Sequence, residues 1–278
     1  MTKSVRGAAC FQLSALALAV VTSFLVVCTP ADAAPTDPSG QPIPSQAPLG
    51  YNTVVTQDFT GTAVPSGWHP YEGQPGTDTG GWWNPSHVIV GGGMLTLRTF
   101  RDPAHAGPHS PWVEGGIDQW PQGVLKYGEY VVRSRVTSAV GVTQVMLLWP
   151  NERRGIPREI DFNESNGTDE TTAHLIYGRS SHTHTEQSVT LAYPTVDLTQ
   201  WHTWGVIVTP KTITYTLDGR TWATMVNHEH VAMHLALQQQ VWACNNTAER
   251  ACPSSSTPAE VDFQIDWVAV YAPNHTHG

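Results

Sequence analysis

From Tyr51 to about Pro273 the chain is built of short apolar or alternating runs, each cut off by a cluster of Gly, Pro or Asp. Side chains on a strand point alternately to its two faces. Runs such as Gly93-Met94-Leu95-Thr96-Leu97-Arg98 and Glu129-Tyr130-Val131-Val132-Arg133-Ser134-Arg135-Val136 therefore read as strands with one buried face. Val142 to Trp149 is almost continuously apolar, which predicts a central strand. Ile213-Thr214-Tyr215-Thr216-Leu217 and Thr221-Trp222-Ala223-Thr224-Met225 flank Asp218-Gly219, a pair that tolerates the positive φ of a tight hairpin. Gly91-Gly92-Gly93 marks another turn, explained by backbone freedom rather than by a phosphate loop. The run Val261 to Tyr271 closes the series. No long amphipathic helix, internal repeat or βαβ rhythm interrupts it. The predicted fold class is all-β, a sandwich or jelly roll of two antiparallel sheets.

The ends differ in texture. Lys3 and Arg6, the apolar run Leu13 to Val27 and the small-x-small triplet Ala31-Asp32-Ala33 form a secretion signal over residues 1–33. Val27 before Cys28 is too large for a lipid-attachment site, and no later segment is long enough to span a membrane. Residues 34–50 are rich in Pro, Ser, Gln and Gly and read as a disordered or extended linker. Residues 51–273 form one domain, and 274–278 a tail. Cys10 and Cys28 leave with the signal, so Cys244 and Cys252 pair as a disulfide in an exported protein. The formal charge of −9 becomes more negative without Lys3 and Arg6, which argues against nucleic acid and anionic membranes as partners and suits a neutral ligand. Nothing in the pattern requires a second copy, so a monomer is expected.

One segment carries chemistry. Glu159-Ile160-Asp161-Phe162-Asn163-Glu164 places three carboxylates in an otherwise apolar strand. Carboxylates repel one another and resist burial, so stability alone would not favour this arrangement. Glu159 and Asp161 share one strand face, while Ile160 and Phe162 face a core. One extra residue, a β-bulge near Asn163, would return Glu164 to the Glu159 face. Two carboxylates on one cleft wall are what glycosidic hydrolysis requires. With roughly 5–5.5 Å between them, the reaction would retain anomeric configuration.

A second strand pattern points to the same cleft. Met233, Leu235, Leu237 and Val241 fall on one face, with His234, Gln238, Gln240 and Trp242 on the other. Amides can bond sugar hydroxyls, and an indole can stack on the C–H face of a pyranose. A metal-dependent hydrolase is disfavoured: His228-Glu229-His230 with His234 lacks His-Glu-x-x-His spacing, and His182 and His184 add no third ligand. A serine hydrolase is disfavoured by the absence of Gly-x-Ser-x-Gly.

From about Val54 to Tyr271 the chain resembles glycoside hydrolase family 16, of the bulged E-x-D-x-x-E, laminarinase-like type. The markers fall in order: Trp83-Asn84-Pro85-Ser86-His87-Val88, Tyr127-Gly128-Glu129-Tyr130-Val131-Val132-Arg133, Leu148-Trp149-Pro150, then Glu159 to Glu164. Trp201-His202-Thr203-Trp204, Leu217-Asp218-Gly219 and Ile265-Asp266-Trp267-Val268-Ala269-Val270-Tyr271 follow. The resemblance implies a concanavalin-like β-jelly roll with a polysaccharide across its concave sheet. It implies Glu159 as nucleophile, Glu164 as acid/base and Asp161 as the residue that tunes both. It also implies Trp149 as a sugar platform, with Gln238 and Gln240 on a strand facing the catalytic one. Trp82, Trp83, Trp112 and Trp120 are further cleft candidates. Two departures leave specificity open: Ile156-Pro157-Arg158 stands where many relatives have Trp-Pro, and Ile176 where many have His. His174, two residues earlier on the same face, could substitute. Family members cut β-1,3-glucans, mixed-linkage glucans or galactans, or transfer glycosyl chains, and β-1,3-glucan is the favoured substrate. A non-catalytic glycan-binding protein on the same fold is the main alternative. No catalytic cofactor is expected. Some members hold a structural Ca²⁺, to which Asp266 could contribute.

Overall fold

The computed structural model describes residues 37–76, 80–151, 158–165, 171–178, 186–193, 196–244 and 252–274, with the backbone alone over 171–178 and 186–193. The proposed secretion signal, His182 and His184 lie outside these residues. The strands are β1 (Tyr51–Gln57), β2 (Trp68–Pro70), β3 (Val88–Gly91), β4 (Met94–Arg101), β5 (Trp112–Val113), β6 (Gly116–Gln119), β7 (Gly128–Val136) and β8 (Val142–Pro150). They continue as β9 (Glu159–Ser165), β10 (Thr171–Gly178), β11 (Glu186–Tyr193), β12 (His202–Val208), β13 (Thr212–Leu217), β14 (Arg220–Val226), β15 (Met233–Val241) and β16 (Glu260–Pro273). A 3-10 turn, Pro85–His87, is capped by the Asn84 side chain.

All described pairings within the two sheets are antiparallel. A seven-stranded sheet runs β11-β10-β9-β8-β15-β6-β2. The nine-stranded sheet runs β14-β13-β12-β7-β16-β4-β3, with β1 on β16 and β5 on β4. This is the β-jelly-roll sandwich that the strand pattern predicts, and the apolar run at Val142 is β8, the central strand of its sheet. Asp218 and Gly219 take φ of 49° and 75°, which closes the β13–β14 hairpin with the twist that antiparallel strands need.

The core lies between the sheets. Leu97, Val132, Val206, Ile213, Phe263 and Ile265 from one sheet meet Ile117, Met146, Leu148, Ile160, Phe162 and Leu235 from the other. Tyr130 is buried among them, and its hydroxyl donates toward the carbonyls of Gly123 and Met233. It thereby joins β7 of the larger sheet to the Gly123 turn and to β15 of the smaller sheet.

Residues 37–50 do more than link. They lie along the outer face of the nine-stranded sheet, where Ile43 and Ala47 pack on Trp267, Ala269 and Tyr271. Arg133 Nε donates to Ser39 Oγ at 2.7 Å, and Trp267 Nε1 donates to the Gln41 carbonyl at 2.8 Å. A proline-rich strap covering an indole and a phenol ring explains why this apolar patch on the sheet's outer face is stable in water.

Candidate active site

The register of β9 changes inside the carboxylate cluster. On β8, Leu148 faces Ile160 and Leu147 faces Asp161, then Met146 faces Asn163 and Val145 faces Glu164. Phe162 has no opposite residue on β8, and β10 compensates in the same place, pairing His174 with Asp161 and Thr172 with Glu164. This is the extra residue of a β-bulge. Phe162 is fully buried in the core. Asn163 is held there by Gln144, whose Nε2 lies 3.5 Å from Asn163 Oδ1.

The bulge sets the faces. Val145, Leu147 and Ala236 form a small apolar floor on the outer face of the seven-stranded sheet. Asp161 is directly opposite Leu147, and Glu164 opposite Val145, so both carboxylates belong to that face, as does Glu159 two residues before Asp161. Asp161 is buried, while the outer glutamates are partly exposed. The middle carboxylate is thus the desolvated one, and the two flanking it are open to a ligand.

A cavity of about 430 Å³ lies beside Glu159. Leu147 forms its floor. Gln238 and Gln240 from β15 supply amides, and Trp83 and Trp149 supply indoles. Trp149 is 46% exposed, so it is not a core residue. Trp83 is fixed by donating Nε1 to the Gln239 carbonyl at 3.0 Å and by packing on Tyr71, with ring centroids 4.9 Å apart. Gly116 permits this aromatic pair: a Cβ there would meet Tyr71 Cδ2 at 2.5 Å and Trp83 Nε1 at 3.0 Å. A second hollow of about 570 Å³ continues past Trp149, Asp118 and His234 to Trp120, which is 44% exposed.

The electrostatics are those of an acidic cleft. Burial, reinforced by the charges of Asp118 and Glu159, pushes the Tyr71 phenol well above its ordinary range, so it remains a neutral donor beside Glu159. Arg158, which precedes Glu159, pairs with Glu229 at 3.3 Å. Burial raises the Glu229 carboxyl to about 7, with Arg158 opposing. Glu229 thereby anchors Arg158 at the start of β9. Among the described residues no three His, Cys, Asp or Glu side chains converge as a metal site.

Two sequence expectations change. Trp242 is buried just past the end of β15 and lines a separate hollow with Arg101, Trp112 and Cys244, so neither Trp242 nor Trp112 reaches the cavity beside Glu159. The alternation that put Trp242 on the cleft face stops when the strand does. Cys244 and Cys252 are joined as a disulfide at the edge of that hollow. For His174 only the backbone register is described, and it places the residue opposite Asp161. Tyr71, Asp118 and His69 were not legible beforehand. They sit on or next to strands of three and four residues, too short to carry an alternation signal.

A model of the glycosyl hydrolases of family 16 matches residues 82–269, well over half of the chain. The chain belongs to glycosyl hydrolase family 16. The match spans β3 to most of the closing strand, including the bulged strand and the Trp83 loop, so the family-16 assignment rests on most of the sandwich and not on the carboxylate motif alone. No curated protein matches the sequence. Solved structures resemble it in fold. One is the catalytic domain of an endo-1,3-β-glucanase (laminarinase) from Thermotoga petrophila RKU-1, with TM-score 0.67 and 17% identity over 81% of this chain and 99% of that one. A laminarinase from Rhodothermus marinus gives 0.63 and 18%, over 80% and 97%. A structure from work on endo-acting O-glycanases of human gut microbiota that initiate mucin breakdown gives 0.71 and 18%, over 84% and 94%. Among the described residues no helix is long and apolar enough to cross a membrane.

Proposed function

We propose that this family-16 chain is a secreted, endo-acting glycosidase that cleaves β-1,3-glucan or a related β-glucan by a retaining double displacement. One observation carries the reading: the bulge at Phe162 brings Glu159, Asp161 and Glu164 to one open sheet face, beside a cavity lined by amides and an exposed indole. In the first step Glu159 attacks the anomeric carbon while Glu164 protonates the departing glycosidic oxygen, leaving a covalent glycosyl-enzyme. In the second, Glu164 removes a proton from water, which attacks the same carbon and releases Glu159. The buried Asp161 lies between them. Its charge opposes ionisation of Glu164 and so favours the proton that the first step needs. The acidic cleft favours a neutral polymer over a sulfated one, and laminarinases share the fold.

Reducing-sugar release from β-1,3-glucan, mixed-linkage β-glucan, agarose, carrageenan, xyloglucan and β-1,3-galactan tests the proposal. Fastest release is expected from β-1,3-glucan, with an early fall in polymer length. A folded protein silent on every polymer would leave the glycan-binding alternative.

We propose that a structural Ca²⁺, if bound, sits at Asp266. Asp266 is the extra residue of a bulge in β16, is 3% exposed, and has a buried Oδ2 without a hydrogen-bond partner. Burial raises its carboxyl, the side chain and backbone of Ser39 hydrogen-bond to it and oppose that rise, and Asp37 lies within hydrogen-bonding reach. Both line a hollow that Asp58 and Gly93 also border. Asp266 and Asp37 would hold the ion, completed by backbone oxygens and water, and it would supply stability rather than chemistry. At a hundredfold excess over its dissociation constant, Ca²⁺ should add about 2.7 kcal/mol, read as a rise of several degrees in Tm. Asp266→Asn should abolish that response; an equal rise in the variant would refute the site.

A further inference from the structure

We propose that Asp118, flanked by His69 and His234, is the floor of a sugar subsite walled by Trp120 and Trp149, which binds a neutral hexose of the polymer through a pair of its hydroxyls. The inference rests on the glycosidase reading and adds a specificity-determining group that the resemblance does not assign.

Sheet register makes the case. His69 on β2 is opposite Asp118 on β6, Asp118 opposite Ala236 on β15, Ala236 opposite Leu147 on β8, and Leu147 opposite Asp161 on β9. These residues form one row across the cleft face. Three strand spacings put Asp118 about 14 Å from Asp161 along the sheet. The row is therefore a track leading from the reacting bond to a more distant sugar of the same chain, with the apolar floor between.

The far end of the track is built for a polar ligand. Asp118 Oδ2 is 3.7 Å from His234 Nε2, too long for a direct hydrogen bond. Asp118 Oδ1 and His234 Nδ1 are buried without partners, and His234 is only 7% exposed. Buried polar atoms are seldom left unmatched in a finished core. Here they border a hollow of about 570 Å³, where a sugar hydroxyl can donate to the carboxylate and accept from an imidazole N–H. His69 Nε2 donates to the Trp120 carbonyl at 2.9 Å, which leaves Nδ1 as its acceptor.

The walls suit a pyranose. Of the eleven tryptophans only Trp120 and Trp149 are exposed, and both line this hollow. Trp120 is held in place by donating Nε1 to Asn151 Oδ1 at 2.8 Å. Trp149 is the cross-strand partner of His234. Two ordered indoles beside a carboxylate and two imidazoles match a ring with an apolar C–H face and a hydroxyl edge. The carboxylate disfavours sulfated or uronic residues.

The test uses the full chain and laminarihexaose. In a Glu159→Gln background, Asp118→Ala should weaken binding about 10- to 100-fold, and the isosteric Asp118→Asn by less. In the active enzyme, Asp118→Asn should raise KM with kcat within about twofold and should shift the lengths of the first products. Unchanged affinity and product lengths in folded Asp118 variants, with wild-type cleavage intact, would overturn the subsite alone. No cleavage of laminarihexaose by the wild type and no binding of it by Glu159→Gln would overturn the β-1,3-glucan reading together with it.

Discussion

Glu159→Gln should fold with an unchanged Tm and release reducing sugar roughly 10³- to 10⁴-fold more slowly than the wild type, a loss of the size expected for removing one member of a catalytic unit. Glu159 is partly exposed on the open face, so an amide of equal shape disturbs no core. The loss should come in kcat, because the carboxylate acts on the anomeric carbon in the transition state and contributes little to ground-state binding. Azide separates the roles of the two glutamates. Added to Glu159→Ala, it should restore turnover of an activated aryl glycoside and give a glycosyl azide of inverted configuration. Added to Glu164→Ala, it should give the retained one, because Glu159 still forms the covalent intermediate. Reversed stereochemistry in these two products would exchange the assigned roles. Full activity in Glu159→Gln would remove the strand from the reaction.

Phe162→Ala should cost about 3–5 kcal/mol, the usual range for emptying a buried phenylalanine site. Phe162 has no accessible surface and packs in the main core between the sheets. In a domain of this size each kcal/mol lowers Tm by about 2–4 °C, so a fall of about 10 °C is expected by calorimetry. Phe162 is also the residue that the bulge inserts. Its ring fixes where β9 departs from regular pleating, and so the spacing of Glu159 and Glu164. Activity should therefore fall well below the melting range, and Phe162→Leu, which refills most of the volume, should recover most of both losses. A Phe162→Ala protein that melts within 2 °C of the wild type would show that the bulge is held by hydrogen bonding alone.

The fold was legible because it is written in periods. The alternation at Glu129 to Val136, the unbroken apolar run at Val142 and the Asp218-Gly219 turn each declare a strand or turn from local chemistry, and each stands where the sequence places it. The bulge was legible for a related reason. A strand that must bury Ile160 and Phe162 and still expose both glutamates has one residue too many for regular pleating. The other cleft wall was not legible. Tyr71 follows a three-residue strand, and Asp118 lies in a four-residue one, so neither has neighbours enough to show a face. Their position is set by cross-strand pairing to β15 and through it to β8, which is long-range information that no local window contains. Trp242 shows the converse. Its face was read by extending a period beyond the strand that carried it. Residues 37–50 show that a composition typical of linkers does not prevent a segment from packing when a sheet offers it exposed rings to cover.

That strap has a consequence for how the molecule meets a solid. It lies on the sheet opposite the one that carries Glu159, so Asp37, which borders Asp266 and Trp267 there, sits behind the cleft. A bead or surface coupled through the strap would leave the open sheet facing outward, within reach of insoluble glucan particles. Coupling through Pro121 and Gln122, exposed beside Trp120, would press the cleft against the support. Equal loading by the two routes should therefore give unequal rates on particulate glucan and similar rates on short oligosaccharides.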